Sequence, residues 1–166
     1  LQLKIIDLFS GAGGLSLGFE QSGFKLVSAI DNCKSSIETF NENHPENPGK
    51  CIEVSEFNKK ELSRILDNEK ITGVIGGPPC QGFSSARLSD YKNEITKLNE
   101  QRNKLYIDFF NCVKKSKPDF FLIENVKGMA KLNDGAFLKD IEQRFGKLGY
   151  FIYPSILNAS EYGVPQ

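Results

Sequence analysis

Cys80 is the residue in this sequence best placed to do covalent chemistry. It sits in the run Gly76-Gly77-Pro78-Pro79-Cys80-Gln81-Gly82-Phe83-Ser84. Each proline fixes its own φ near −65° and restricts the residue before it, so the chain reaches the thiol along a stiffened path. A thiolate held this way is suited to nucleophilic catalysis. The other cysteines, Cys33, Cys51 and Cys112, read as small buried hydrophobes. No CxxC pair is present, so neither a zinc site nor a disulfide scaffold fits the spacing, and no metal is expected. A Cys–His hydrolase is disfavoured too. The only histidine, His44, falls in the Pro-rich stretch Asn43–Gly49 and reads as a solvated loop residue.

A second chemical feature lies near the start. Asp7-Leu8-Phe9-Ser10-Gly11-Ala12-Gly13-Gly14-Leu15-Ser16 is a glycine loop leaving an apolar run and opening a helix. Such loops let backbone approach a bound cofactor closely. Asp31, 20 positions after Gly11, is placed to accept hydrogen bonds from ribose hydroxyls. The dinucleotide pattern GxGxxG would need glycine at position 16, where Ser16 stands. This points away from a nicotinamide dinucleotide and toward a nucleoside without pyrophosphate. S-adenosylmethionine fits.

These residues need elements to hold them. Short apolar, β-rich runs alternate with helix-like stretches, which predicts a parallel sheet flanked by helices, an α/β doubly wound, Rossmann-like fold. The strands are expected at Lys4–Phe9, Lys25–Ile30, Lys50–Val54, Gly73–Gly76, Phe120–Asn125 and Phe151–Leu157. Helices are expected at Leu15–Ser22, Ser35–Asn43, Lys59–Asn68, Asn103–Lys115 and Ala136–Lys147. In such sheets the sites form outside the carboxyl ends of the strands, where the glycine loop, Asp31 and Cys80 all fall. The polar stretch Ser85–Glu100, with Arg87, reads as a mobile active-site loop.

With the elements in place, the motifs resemble those of the C5-cytosine DNA methyltransferases. Phe9-Ser10-Gly11-Ala12-Gly13-Gly14 is similar to motif I, and Pro79-Cys80-Gln81 with Gly82-Phe83-Ser84 is similar to motif IV. Arg102-Asn103-Lys104-Leu105 resembles motif V, and Glu124-Asn125-Val126 resembles motif VI. Asn158-Ala159 and Tyr162-Gly163-Val164-Pro165-Gln166 resemble the beginning of motif VIII. The five occur in the family's order and cover nearly the whole chain.

The resemblance implies transfer of a methyl group from S-adenosylmethionine to C5 of cytosine. Cys80 would add to C6, and Glu124 would serve as the acid toward N3 of the ring. Because C5 is inaccessible inside a duplex, the cytosine would be flipped into the site. Phe9, Gly11, Gly13, Gly14, Asp31 and Leu105 would line the cofactor, with Pro79 at its border. Pro79, Gln81, Ser84, Arg87, Asn125, Val126 and Gln166 would face the substrate. Where the family often stacks an apolar or aromatic residue on adenine this chain has Asn32. Ser55 or Glu56 stands where an Asp usually reaches the adenine amino group.

Charge completes the reading. The 166 residues carry 21 basic and 21 acidic side chains, a formal net charge of zero. Proteins that grip DNA unaided usually carry a basic excess, because neutralising phosphates supplies most of the affinity. Together with the two arginines that normally follow position 166, this leads to an expectation of an incomplete catalytic domain spanning 1–166, cut before its last strand. Double-stranded DNA would then be bound through a recognition domain outside this sequence, and a complementary C-terminal segment or subunit would be a partner. An RNA cytosine methyltransferase and a non-catalytic cofactor-binding fragment are the alternatives. No run approaches the ~20 apolar residues of a membrane span, and a bacterial cytoplasmic or nucleoid-associated location is expected.

Overall fold

The computed structural model describes residues 2–79, 105–128 and 135–164. They fall into two compact units, Leu1–Val126 and Lys127–Gln166. Among the described residues, no helix is long and apolar enough to cross a membrane.

The first unit is built on five strands, β1 (Lys4–Leu8), β2 (Lys25–Asp31), β3 (Lys50–Cys51), β4 (Gly73–Gly76) and β5 (Phe120–Ile123). Helices connect them: α1 (Gly14–Gln21), α2 (Lys34–Asn43), α3 (Val54–Lys60), α4 (Leu62–Asn68) and α5, described over 105–116. All the strand pairs are parallel and the order is β3-β2-β1-β4-β5. The order reverses between β1 and β4, and that switch point is where a doubly wound sheet opens a crevice.

The central strands are largely apolar because both faces are covered, with Asp7 and Ser28 as buried exceptions. Ile5, Ile6, Asp7 and Leu8 are all buried, as is every residue of β4. Ile5, Leu26, Ala29, Ile37, Phe40 and Ile75 form one core cluster, with Leu15, Phe19, Phe24 and Phe120 packed against it. Glycine in β4 makes room for this packing. A β-carbon on Gly73 would lie 2.4 Å from the Phe120 ring, and one on Gly76 would lie 2.0 Å from the Leu8 carbonyl oxygen. In α5, Tyr106, Phe109, Cys112 and Val113 are buried at helical spacing.

Several expected boundaries move. The third strand ends at Cys51, and Val54, expected as its last residue, is instead a buried first residue of α3. The single helix expected over Lys59–Asn68 is two short ones that meet at Glu61. The start of α5 at Asn103 lies outside the described residues.

The second unit contains α6 (Ala136–Gly146) and a 3₁₀ turn at Ala159–Tyr162. Phe137, Ile141 and Phe145 of α6 are buried, again at helical spacing. The sixth strand expected at Phe151–Leu157 is not formed. The segment joins no ladder, and Phe151 and Tyr153 are each 88% exposed. Apolar side chains make a strand only when a neighbouring strand takes up the backbone N–H and C=O groups.

Candidate active site

The glycine loop leaves β1 through a strained residue. Phe9 has φ +59°, a left-handed conformation that non-glycine residues seldom adopt and that clusters at functional sites. Beyond it the loop is fastened at each step. Ser10 N–H donates to Ile30 O at 3.1 Å and Gly13 N–H to Ser10 O at 3.0 Å. Gly11 N–H donates to Asp31 Oδ2 at 3.0 Å, while the other oxygen, Oδ1, accepts from Cys33 N–H at 2.8 Å. Asp31 thus joins the carboxyl end of β2 to the loop after β1, leaving its remaining lone pairs for a ligand.

Two glycines of this loop face open space. Among the described residues, a β-carbon on Gly11 or Gly14 would meet nothing within 4 Å. Gly13 faces inward, where a β-carbon would lie 2.4 Å from His44 Nε2. The expectation that His44 is solvated is therefore wrong. His44 is 5% exposed, its Nε2 lies 3.2 Å from Gly13 O, and its Nδ1 lies 2.8 Å from Glu20 Oε2. Its neighbour Asn43 donates to Ala12 O at 3.0 Å. The loop Asn43–Gly49 therefore braces the glycine loop, over 31 positions of sequence.

Ser16 has a role of its own. Its hydroxyl donates to Asp7 Oδ2 at 2.6 Å inside the core. The dinucleotide pattern places glycine here for close helix–strand packing; this chain instead ties α1 to β1 with a hydrogen bond. Asp7 is buried, and burial pushes its carboxyl up to about 7 despite the Ser16 bonds.

At the rim beyond β2, Asn32 is exposed and its amide donates to Glu53 Oε1 at 3.1 Å. Glu53 is a residue that sequence reading missed, and its only signal is its place directly before a helix. Ser55 is half-buried within α3. Glu56 pairs with Lys60, whose hydrogen bond and charge hold its carboxyl below the usual range.

Cys33 and Cys51 are exposed, against the expectation that they are buried; Cys112 is buried as expected. Cys33 directly precedes α2, where hydrogen bonds from Ser35 and Ser36 lower its thiol to about 7. Burial pushes Cys112 up to about 12, which leaves it inert.

On the other side of the switch point, β4 runs into Gly77, the buried Pro78 and the exposed Pro79. The residues after β5 meet this segment. Glu124 N–H donates to Gly76 O at 3.0 Å, and Glu124 Oε2 lies 3.1 Å from where a β-carbon on Gly77 would be. The Asn125 amide donates to Pro78 O at 2.7 Å, and its Oδ1 accepts from Val126 N–H at 2.9 Å. Glu124 is exposed, as is Val126. Leu105, half-buried, stands at the described start of α5. Cys80, Gln81, Ser84, Arg87, Gln166 and the Ser85–Glu100 stretch lie outside the described residues.

A sheet of this order, with a glycine loop after β1, a carboxylate at the end of β2 and an Asn-anchored proline loop after β4, is a doubly wound, Rossmann-like fold, which the comparisons identify as that of methyltransferases. The sequence matches the model for C-5 cytosine-specific DNA methylase over residues 3–166. It is 40% identical over 166 residues to the type II methyltransferase M.FnuDI of Fusobacterium nucleatum, covering 99% of this chain and 44% of that protein. It is 37% identical to M1.HphI of Haemophilus parahaemolyticus, covering 100% of this chain and 44% of that one. Among solved structures, an E. coli prophage protein described as a DNA modification methyltransferase superimposes with a TM-score of 0.70. It is 34% identical, over 88% of this chain and 38% of that one. S. pombe Dnmt2 shares the fold, with a TM-score of 0.60 at 20% identity over 86% of this chain and 40% of its own. The chain belongs to the C-5 cytosine-specific DNA methylase family. It spans less than half the length of these curated relatives.

Proposed function

We propose that this chain is the cofactor-binding and catalytic portion of an enzyme that methylates C5 of cytosine in double-stranded DNA, in a restriction–modification setting. One observation carries the reading. In a chain of this family, Asn125 and Glu124 gather at the Gly77–Pro78 segment that leads directly to Cys80, across the switch point from the glycine loop.

S-adenosylmethionine fits the other side of the crevice. Gly11 and Gly14 open onto free space, and Asp31 keeps acceptor capacity at the rim for ribose hydroxyls. Phe9, Gly13, Leu105 and Pro79 would complete the contact, with Asn32 or Ser55 near the adenine. When bound, the cofactor supplies an electrophilic methyl group.

The protein's own part begins at Cys80. C5 of cytosine is a poor nucleophile until a thiolate adds to C6. As that bond forms, the electron pair of the C5–C6 double bond moves through the ring toward N3, and Glu124 delivers a proton there. C5 is then nucleophilic enough to take a methyl group. N3 then returns its proton to Glu124, and loss of the C5 proton to a base expels Cys80 as thiolate and restores the ring. Asn125 and Pro79 would shape the pocket for the flipped base, with Gln81, Ser84, Arg87, Val126 and Gln166 also on the DNA side. Sequence recognition would belong to a domain outside these residues.

The test is to incubate the full-length protein with DNA and methyl-labelled S-adenosylmethionine and to locate the label. Label at C5 of cytosine is expected; label on RNA alone, or on an exocyclic nitrogen, would overturn the reading.

A further inference from the structure

His44 is the histidine that the proposed chemistry leaves unused, yet it is among the most constrained side chains of the first unit. Its side chain is 3% exposed and its ring stacks on Phe40 at 4.3 Å, 21° from parallel. Both ring nitrogens face oxygen. Gly13 O can only accept, which puts a proton on Nε2, while Nδ1 lies against the Glu20 carboxylate.

The acceptor is informative. Gly13 is the residue before α1, with φ +93°, and its carbonyl already receives the first helical bond, from Leu17 N–H at 2.9 Å. A second donor from His44 fixes the plane of the peptide between Gly13 and Gly14. That peptide sets where the Gly11–Gly14 backbone stands. Gly13 has no alternative side chain, because the histidine occupies the space a β-carbon would need. Its glycine thus serves the brace, whereas Gly11 and Gly14 leave the open side free.

We propose that His44, held between Glu20 and the Gly13 carbonyl, is the positioning residue of the glycine loop, so that cofactor affinity falls when this bridge is removed. The inference rests on the reading of that loop as the S-adenosylmethionine site. Among the described residues, Glu20 on α1 and Asp7 on β1 are the charged groups near His44, and Phe40 of the preceding α2 stacks on it. Asn47 reaches the other oxygen of Glu20 at 3.5 Å.

Two measurements on the full-length protein test this. The first is calorimetric binding of S-adenosylmethionine at a single pH in the parent, His44→Gln, His44→Leu and Glu20→Gln. His44→Leu should lose on the order of tenfold in affinity or more. His44→Gln keeps a donor for Gly13 O, so it should recover much of that loss. Glu20→Gln, a milder change at a partly exposed residue, should lose less than His44→Leu. Equal affinity in the parent and His44→Leu, or no recovery in His44→Gln, overturns the proposal.

The second is amide hydrogen exchange at Gly13 and Leu17 without ligand, with thermal melting to confirm folding. Exchange should quicken at these two amides in His44→Leu; unchanged exchange there overturns the brace. Because this readout needs no cofactor, a parent that fails to bind S-adenosylmethionine would defeat the functional reading while the brace is still decided.

Discussion

The Asn125 side-chain amide donates to the Pro78 carbonyl at 2.7 Å, joining the ends of β5 and β4 two residues before Cys80. The same asparagine closes its own turn by accepting from Val126 N–H. Asn125 therefore acts as a strut, setting where the proline loop leaves the sheet. Asn125→Ala should cost about 1 kcal/mol of stability, the usual net worth of one such bond. Its effect on turnover should be far larger, about 10²-fold, since small misplacements of a reacting group are expensive. Asn125→Asp, which keeps the shape but cannot donate, should not rescue turnover. Near-normal turnover in the alanine variant, measured beside its melting temperature, would remove the strut from the account.

Glu124 offers a narrower test. Glu124→Gln keeps the shape and part of the hydrogen bonding but cannot deliver a proton. Turnover is expected to fall about 10²-fold or more, the scale of acid–base assistance, with DNA affinity little changed. Steady-state kinetics paired with a DNA-binding titration separate the two. Near-normal turnover would give Glu124 a structural role only.

Asp7 gives the fold a pH dependence of definite sign. Burial raises its carboxyl from 3.8 in the unfolded reference to about 7 in the native chain. Between those values the folded state binds more protons than the unfolded one, so stability is lost as pH rises and the loss is complete above about 7. A shift of this size corresponds to roughly 4 kcal/mol as an upper bound. Asp7→Asn removes the titration and can still accept from Ser16. Denaturant unfolding at pH 5 and pH 8 should show the parent weakening across that interval relative to the variant; parallel behaviour of the two would contradict the assignment.

Much of this fold was legible before the structure, and the exceptions have a common cause. β1, β2 and β4 are read from sequence because strands covered on both faces are apolar at nearly every position. Asp31, Glu124 and Asn125 are legible as strand-end polar residues, where a parallel sheet builds its sites. Val54 looked like strand because burial alone does not separate a strand end from a helix start. Phe151–Leu157 has strand composition, but composition cannot supply a pairing partner. His44 was missed for a related reason. Its burial comes from Glu20 and Gly13, 24 and 31 positions away, and no local pattern reports contacts of that range. Glu53 likewise gains meaning only through Asn32, 21 positions earlier.

The exposed 151–157 segment leads to a prediction about the minimal active unit. Phe151, Tyr153, Ile156 and Leu157 are between 66% and 88% exposed, the net charge is zero, and curated relatives are more than twice as long. A polypeptide limited to these 166 residues is expected to be marginally stable and unable to methylate DNA, for want of covered apolar surface and phosphate-binding cations. Supplying the C-terminal portion, in one chain or as a separate subunit, should restore site-specific methylation in a labelled-methyl assay. Unaided methylation of a defined DNA site by the 166-residue polypeptide would contradict this.

The central claim is that Cys80 bonds to C6 of a flipped cytosine, and one experiment reaches it directly. DNA carrying 5-fluorocytosine at the target position cannot lose its C5 substituent, so the proposed sequence stops after methyl transfer with the protein still attached. The full-length protein, given that DNA and S-adenosylmethionine, should yield a denaturation-resistant protein–DNA adduct whose cross-linked peptide contains Cys80. Cys80→Ser should yield none. An adduct that survives in Cys80→Ser, or methylation of ordinary DNA by that variant at the parent's rate, would contradict the account.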